Sequence, residues 1–562
     1  MADPDAADPH CPVHEIGLVM AGAVSAGAYT AGVVDLLVEA MDAWQAAVQA
    51  GDPRAPAHRL RLTALTGASG GAMNAAILAA ILAGRRHRPL ADPADPGPRV
   101  DDNALFESWV NRIDIESLLD TGDLAGTDGR LVSLLNGTVL EGIAAAAIPD
   151  GCGGCARTWA GDGARLAFTV TNLRGVPYNL GFDPSRPGRD PHPGHGMRRH
   201  ADALRFRLGG PQVVSADAAV ALDWAGGSPG WSALRGAALA SGAFPLLLPP
   251  HALSRNAGDY DRQLWPVPAG AGDHPELACL RYQPIPAHWG KDGAPVRYDF
   301  VAVDGGMLDN EPFALGRELL VGVPPLMPAA PVAGRSLLTI DPFPDVIGFR
   351  ADEPQPEGLL DLALGLLAAM KNQTRFKPDE LVTGPEDRYA RRLLLAPSRR
   401  IAGACTDHPL AGGAVHGFAG FLDRGFRLHD FRLGRFNAQR FFDRHFRLPQ
   451  AHPLFAGWTD DQRRAWLDPQ GRLPILPLFG SAARPQPMPD WPRLAPDRLP
   501  RLRQLLRGRS AALLPFAIDH LLARSSRPMR WATRVLARRQ SRGWVDALVD
   551  HIARQLRERG QL

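Results

Sequence analysis

Two short stretches of this 562-residue chain carry side chains whose types and setting could do chemistry. The first is residues 62–76, LTALTGASGGAMNAA, with Ser69 at the centre of Gly67-Ala68-Ser69-Gly70-Gly71. An apolar, strand-like run (Leu62, Ala64, Leu65) enters the pentapeptide and an alanine-rich, helix-forming run (72–83) leaves it, which is the strand, sharp turn and helix of a nucleophile elbow. A serine on so tight a turn needs neighbours without bulk, which Gly67 and Gly71 provide two residues before and two after it. A helix starting there aims its amides and partial positive charge at the serine oxygen. The second stretch is YDFVAV (298–303) followed by Asp304-Gly305-Gly306, a strand whose end carries a carboxylate. A serine hydroxyl is inert until a base takes its proton as it attacks, and a carboxylate can be that base. Desolvation at a strand end would push the Asp304 pKa upward, nearer the working range. Gly305 and Gly306 would let the backbone turn tightly after it.

The elements that must hold these groups read as an α/β pattern. Residues 15–20 form a short buried strand, 21–26 a small-residue turn, and 27–44 a helix with Val33, Leu36, Leu37 and Val38 on its apolar side. The Ser69 elbow is the second strand–helix unit. After a linker at 89–98, residues 103–148 look helical and 151–163 a glycine-rich loop. Residues 165–173 (RLAFTVTNL) are a strand rich in β-branched and aromatic residues. Segments 184–200 and 255–292 read as irregular excursions. Between them a helix beginning near 234 must stop at Phe244, because Pro245 cannot continue it. A helix at 312–321, a strand at 337–340 and an apolar helix at 359–370 follow. The expected fold is a three-layer α/β arrangement, a doubly wound, mostly parallel sheet with helices on both faces and functional groups at the carboxyl ends of its strands. Domain organisation follows: a tail (1–14), the α/β unit (15–345), additional helices and loops packed on it (346–500), and a helical C-terminal region (501–562). Phenylalanines recur at 421, 426, 431, 436, 441 and 446, a spacing that puts no two neighbours on one helix or strand face and suggests several short elements packing into the core.

Composition sets outer bounds. A hydrophobic share of 45% with 22% charged residues is that of a folded globular chain. Lys291, Lys371 and Lys377 are the only lysines, so 59 of the 62 basic residues are arginine, the coding bias of a GC-rich bacterial genome. Five cysteines, Cys11, Cys152, Cys155, Cys279 and Cys405, read as reduced thiols, and Cys152–Cys155 lacks the second pair that a zinc site needs. The acidic, proline-rich start has no positively charged n-region, so no secretory signal is expected and the expected location is cytoplasmic. Residues 16–34 carry no charge, yet their glycines and small residues fit a buried strand, loop and helix better than a membrane span. Residues 501–562 hold fourteen arginines against Asp519, Asp546, Asp550 and Glu558, with apolar residues at helical spacing. Such a region can lie on the inner membrane surface or dock on the domain with a solvated arginine face. No nucleic-acid motif accompanies it.

Four ordered blocks resemble the patatin-like phospholipases: LVMAGAVSAGAYTAGVV (18–34), GASGG (67–71), ALASGAFPLLLPP (238–250) and VDGGMLDNEP (303–312). The resemblance covers roughly residues 15–345. It implies a Ser-Asp dyad without histidine, Ser69 as nucleophile and Asp304 as base, acting on a lipid or other acyl ester through an acyl-enzyme. No cofactor is expected, no cluster has metal-ligand spacing, and the chemistry does not require a metal. It also implies an oxyanion hole made by the backbone amides of Gly22, Ala23 and Val24. Here the chain departs from the family, whose loop reads G-G-G-x-K/R-G where this one reads Gly22-Ala23-Val24-Ser25-Ala26-Gly27. Alanine and valine can supply amides only where φ > 0 is not required, since a β-branched residue is strained there. Two rival readings stay open: an α/β-hydrolase triad recruiting His408 or His416, and a lipid- or membrane-binding scaffold whose altered loop has lost catalysis.

Overall fold

The structure, a computed structural model, describes residues 12–56, 58–90, 102–126, 131–151, 156–180, 195–209, 219–223, 229–268, 280–290, 293–321, 334–344, 391–401, 403–521 and 527–562, with 362, 365, 366 and 369 between them. The linker at 89–98 lies almost wholly outside the described residues, and so do the Cys152–Cys155 loop, Cys11 and Cys279; the few described positions of the 359–370 segment are helical.

Nine strands make one mixed sheet: β1 (Val13–Met20), β2 (Arg59–Gly67), β3 (Ala160–Leu180), β4 (His195–Leu208), β5 (Val220–Leu222), β6 (His251–Asn256), β7 (Arg297–Asp304), β8 (Arg335–Ile340) and β9 (Arg391–Leu395). Its order is β9-β8-β1-β2-β3-β4-β5, parallel except between β3 and β4, with β7 pairing antiparallel to both β3 and β6. Successive strand residues point to opposite faces, and the sequence uses both. Val19, Ala64, Ala167 and Leu337 pack against Phe313, Leu319 and Leu320 of one helix, α5 (Phe313–Val321). Leu18, Met20, Leu65, Leu166 and Leu338 point into the larger core on the other side. There lie α1 (Gly27–Gln49), α2 (Gly70–Leu82) and α4 (Pro229–Ser241), while α3 (Thr138–Ala147) packs beside α2 and α4. The architecture is therefore α/β with helices on both faces of a mostly parallel sheet. Among the described residues one helix with its leading turn (Val24–Gln49) is long and apolar enough to cross a membrane, but 94% of its apolar window is buried as the central core helix.

Several expectations are corrected. Residues 103–148 are not continuously helical: short pieces at Ala104–Phe106, Glu107–Arg112, Ile115–Leu118 and Gly122–Gly126 precede α3. Between them the Leu134 and Leu135 amides donate to Leu246 and Leu247 carbonyls at 2.9 Å each, so they are not available to a helix. Residues 195–200 are no irregular excursion but the start of β4, paired with β3 as far as Leu180. The 255–292 excursion holds a 3-10 turn (Ala257–Arg262) and a hairpin of Leu264–Pro268 with Leu280–Pro284. Helix α4 ends at Ser241, short of Phe244, where the Phe244 N–H turns back to Gly242 O at 2.9 Å.

The five-residue phenylalanine period belongs largely to one helix, α6 (Arg424–Arg444), not to several short elements. Each step of five turns the side chain by about 140°, so the rings spread around the helix, and a helix apolar on many sides is a buried one. Phe426, Phe431, Phe441 and Phe442 are indeed buried. α6 lies so close to α1 that Cβ atoms at Gly32 and Gly434 would meet Phe431 O at 1.9 Å and Tyr29 O at 2.2 Å. Arg435 of α6, 1% exposed, reaches both Asp35 and Glu39 of α1. Burial pushes the Asp35 pKa up, but the Arg435 charge and hydrogen bonds from His87 and Asn103 outweigh it and hold the carboxyl below its usual range. The chain ends in an antiparallel pair, α7 (Arg498–Leu521) and α8 (Arg527–Glu558), in which Arg503, Arg507 and Arg534 pair with Asp546, Asp550 and Asp519.

Candidate active site

β2 and β7 meet end to end along one edge of β3. Gly67 lies opposite Phe168 and Asp304 opposite Val170, while β4 fills the other edge of β3. The sequence placed both groups at strand ends; the topology adds that the second strand arrives antiparallel, from beyond the carboxyl edge of the parallel sheet. Ser69, two residues past the end of β2, therefore faces Asp304 head-on, and Ser69 Oγ donates to Asp304 Oδ2 at 2.8 Å.

Both side chains are held by their backbones. Ser69 has φ 52° and ψ −126°, a region that costs on the order of 1–3 kcal/mol and persists only where the surroundings impose it. Its N–H donates to the buried Ser241 Oγ at 2.9 Å. Directly after it the chain passes so close to β1 that a Cβ at Gly71 would sit 2.1 Å from Met20 O. Ser69 is the residue before α2, whose thirteen residues begin at Gly70. For Asp304, the N–H donates to Ala243 O at 2.9 Å, its carbonyl accepts from Thr171 Oγ1 at 2.8 Å, and Oδ1 accepts from the Gly306 N–H at 2.7 Å. That last bond orients the carboxylate, leaving Oδ2 toward the serine. Gly305 permits the turn, since a Cβ there would lie 2.0 Å from Thr169 O.

The loop expected to bind an oxyanion lies against the serine: a Cβ on Gly22 would be 3.3 Å from Ser69 Cβ. The Gly22 N–H, however, donates to Asn310 O at 3.1 Å, so of the three expected amides those of Ala23 and Val24 remain for a ligand. Val24 has φ 47°, the strained case for a β-branched residue. Ser25 Oγ donates to Gly417 O, tying this loop to a segment nearly four hundred residues away.

Ser69 and Asp304 open into a cavity of about 970 Å³ including its mouth. Its remaining wall is mainly aliphatic and aromatic, with Leu118, Leu135, Leu140, Ile143, Leu248, Phe418 and Phe421. One further titratable side chain, His251, lines it. His251 pairs opposite Ala302, two residues before Asp304, and so is its diagonal neighbour, typically about 7–8 Å away on one sheet face. Burial lowers its pKa, opposed by the charge of Glu141. His408 and His416 are exposed and lie outside the cavity wall.

Reading the sequence missed three supporting residues, Ser241, Thr171 and His251, and named Asn310 without its contact to Gly22. Ser241 and Asn310 stand inside blocks already singled out, but their partners are set by tertiary contact. Phe418 and Phe421 were missed because they come from beyond residue 345.

No family model matches the chain. Among solved structures, the crystal structure of VipD from Legionella pneumophila is similar at 12% identity, over 95% of this chain and 88% of that one, with a TM-score of 0.23. The uncharacterized protein y4iI of Sinorhizobium fredii (strain NBRC 101917 / NGR234) is 33% identical over 549 residues, which span 89% of this chain and 76% of the relative. At that identity and coverage the chain belongs to the same protein family as y4iI.

Proposed function

We propose that this protein is a patatin-like serine acyl hydrolase of lipids, of phospholipase A or lysophospholipase type. The observation that carries the reading is the 2.8 Å Ser69–Asp304 hydrogen bond at the wall of a large apolar cavity. In the proposed reaction Ser69 Oγ attacks the acyl carbonyl carbon while its proton passes to Asp304 Oδ2, giving a tetrahedral adduct. The Ala23 and Val24 amides, helped by the N-terminal dipole of α2, would hold the developing oxyanion. Collapse breaks the acyl C–O bond, and Asp304 returns the proton to the leaving alkoxide. Water, deprotonated by the same carboxylate, then attacks the acyl-enzyme, and the proton is handed back to Ser69 as the fatty acid leaves. The apolar wall suits an acyl chain, since ligand cavities are lined mostly by apolar side chains with a few placed polar groups.

Substrate would be drawn from a lipid surface. Trp544 and Leu548, 66% and 44% exposed on α8, are the residues through which the basic C-terminal region would make peripheral membrane contact. The test is a hydrolysis screen over phospholipids, lysophospholipids, glycerides and short esters beside Ser69→Ala and Asp304→Asn, with fluorophosphonate labelling of the wild type. Loss of turnover in both variants and labelling at Ser69 are expected. Full activity in Asp304→Asn, or a folded wild type that takes no label, would remove the dyad.

A further inference from the structure

Five non-glycine residues have positive φ among those described: Val24, Ser69, Leu246, Val415 and His416. Ser69 and Val24 line the cavity, and Leu246 sits between its lining residues Phe244 and Leu248. Val415 and His416 form, with Gly417 at φ 89°, three consecutive left-handed residues, a conformation that isolated residues adopt only rarely. This second strained segment abuts the first. Ser25 Oγ donates to Gly417 O, and a Cβ on Gly417 would lie 3.5 Å from Val24 Cβ. A Cβ on Gly420 would be 2.3 Å from Ser25 Oγ, so the two loops interlock without slack.

The 411–417 segment is in turn held from the far end of the chain. Gln555 Oε1 on α8 accepts the Val415 N–H at 2.7 Å. Gln561, which is fully buried, donates from Nε2 to Ala411 O at 2.9 Å. Its own carbonyl accepts the Leu494 N–H at 2.8 Å, anchoring the last residues of α8's extension. From within the core, the buried Asp430 carboxylate accepts the Ala411 and Gly412 amides at 2.8 and 2.9 Å. Positive φ at two successive non-glycine residues, Val415 and His416, does not persist by itself. Here it is imposed from one side by α6 and from the other by two glutamines of the C-terminus.

We infer that Gln555 and Gln561 are positioning residues for the oxyanion loop: by fixing the 411–417 segment they hold Gly417 O on Ser25, and through Ser25 they keep Val24 in its positive-φ conformation at the wall of the Ser69 cavity. This rests on the hydrolase reading for its catalytic consequence, but not for its structural one. Both contacts are made by neutral amide side chains.

The experiment compares the full-length wild type with Gln555→Ala, Gln555→Glu and the Gln555→Ala/Gln561→Ala pair. Gln555→Glu keeps an oxygen acceptor for the Val415 N–H. Hydrogen exchange followed by mass spectrometry on a peptide covering 18–34 reads the loop directly. Exchange there is expected to rise at least several-fold in the double variant, while a peptide covering β8 stays at wild-type rate. With a hydrolysable ester, kcat is expected to fall by about tenfold or more at unchanged KM, below the 10²–10³-fold that deleting one oxyanion donor costs. Gln555→Glu should restore most of it. Wild-type exchange at 18–34 in the double variant overturns the inference, and so does a rise spread equally over β8, which would mark general loosening. If the wild type is inert to ester and fluorophosphonate yet the 18–34 peptide loosens as expected, the positioning contact stands and the hydrolase reading fails.

Discussion

Two buried histidines set an acid limit on this fold. His58 is fully enclosed beside Trp44, Phe455 and Trp458. Its Nε2 bonds to Ile475 O at 2.9 Å, so Nε2 carries the proton, and its Nδ1 accepts the Trp458 indole N–H at 3.0 Å. Protonating Nδ1 would set two donors against each other in a dry site. Burial accordingly lowers the His58 pKa to about 4, against a weaker upward pull from the Ile475 bond. His14, bonded through Nε2 to Ser336 Oγ, is lowered to about 3, first by burial and then by the charges of His58 and His452. Both pKa values are depressed on folding, so below about pH 6.5 the unfolded chain binds more protons than the folded one. The contribution is therefore intact above pH 6.5 and is lost as pH falls toward 4 and 3. A pH of 5 lies about 1.5 units below the unfolded pKa of each histidine and above both folded values, which at about 1.36 kcal/mol per unit costs about 2 kcal/mol each, or about 4 kcal/mol for the two. That is a large part of a typical 5–15 kcal/mol stability. Urea unfolding followed by tryptophan fluorescence at pH 7.5 and 5.0 measures the loss. In His58→Gln, which cannot titrate, the loss over the same interval should shrink by about 2 kcal/mol. A variant that keeps the full wild-type pH dependence would refute the tautomer argument.

Three other outcomes are expected. Ser241→Ala leaves the Ser69 N–H without its acceptor in a buried site, which should lower stability by about 1–3 kcal/mol. It should also slow fluorophosphonate labelling of Ser69, as mass spectrometry would read. Arg435→Leu strands Asp35 and Glu39 inside the α1–α6 interface and should destabilise by about 3–5 kcal/mol at pH 7. Without the Arg435 charge, burial pushes the Asp35 pKa up, so the deficit should narrow as pH falls and Asp35 takes up a proton; equal deficits at pH 7 and 5 would contradict the assignment. Leu118→Trp adds bulk to the cavity wall and should shift the preferred acyl ester to shorter chains. A chain-length series read as kcat/KM would show it, and an unchanged optimum would mean that the acyl group does not enter there.

What was legible in the sequence was local. The Ser69 elbow announces itself because strand, tight turn and helix lie within about twenty residues and each is encoded by its own composition. The Asp304 strand was readable too, but not its direction, since β7 pairs with β3 more than a hundred residues away. The helical reading of 131–137 failed because its amides bond to 246–247, a partner that no local periodicity reveals. The same holds for Gly22, whose N–H goes to Asn310 O and not to a ligand. The phenylalanine period was visible but misread, because amphipathic templates assume one wet face and α6 has little of one.

These non-local links bear on where the functional unit ends. A serine elbow can be assembled by residues 59–82 alone, but three of the features that make Ser69 more than a strained serine come from elsewhere. Its Asp304 partner arrives on β7, the amide of the serine is tied to α4, and the wall of the cavity is completed by Phe418 and Phe421. The loop beside Ser69 carries Ala23 and Val24, which cannot adopt φ > 0 at the small cost that glycine can. Val24 nevertheless sits at φ 47°, which requires that other contacts hold it there. Those contacts, through Ser25 and Gly417, belong to the C-terminal third. A chain cut near residue 345 would therefore retain the serine and the aspartate and lose what keeps Val24 strained. The region beyond 345 is part of the site and not an appendage to it.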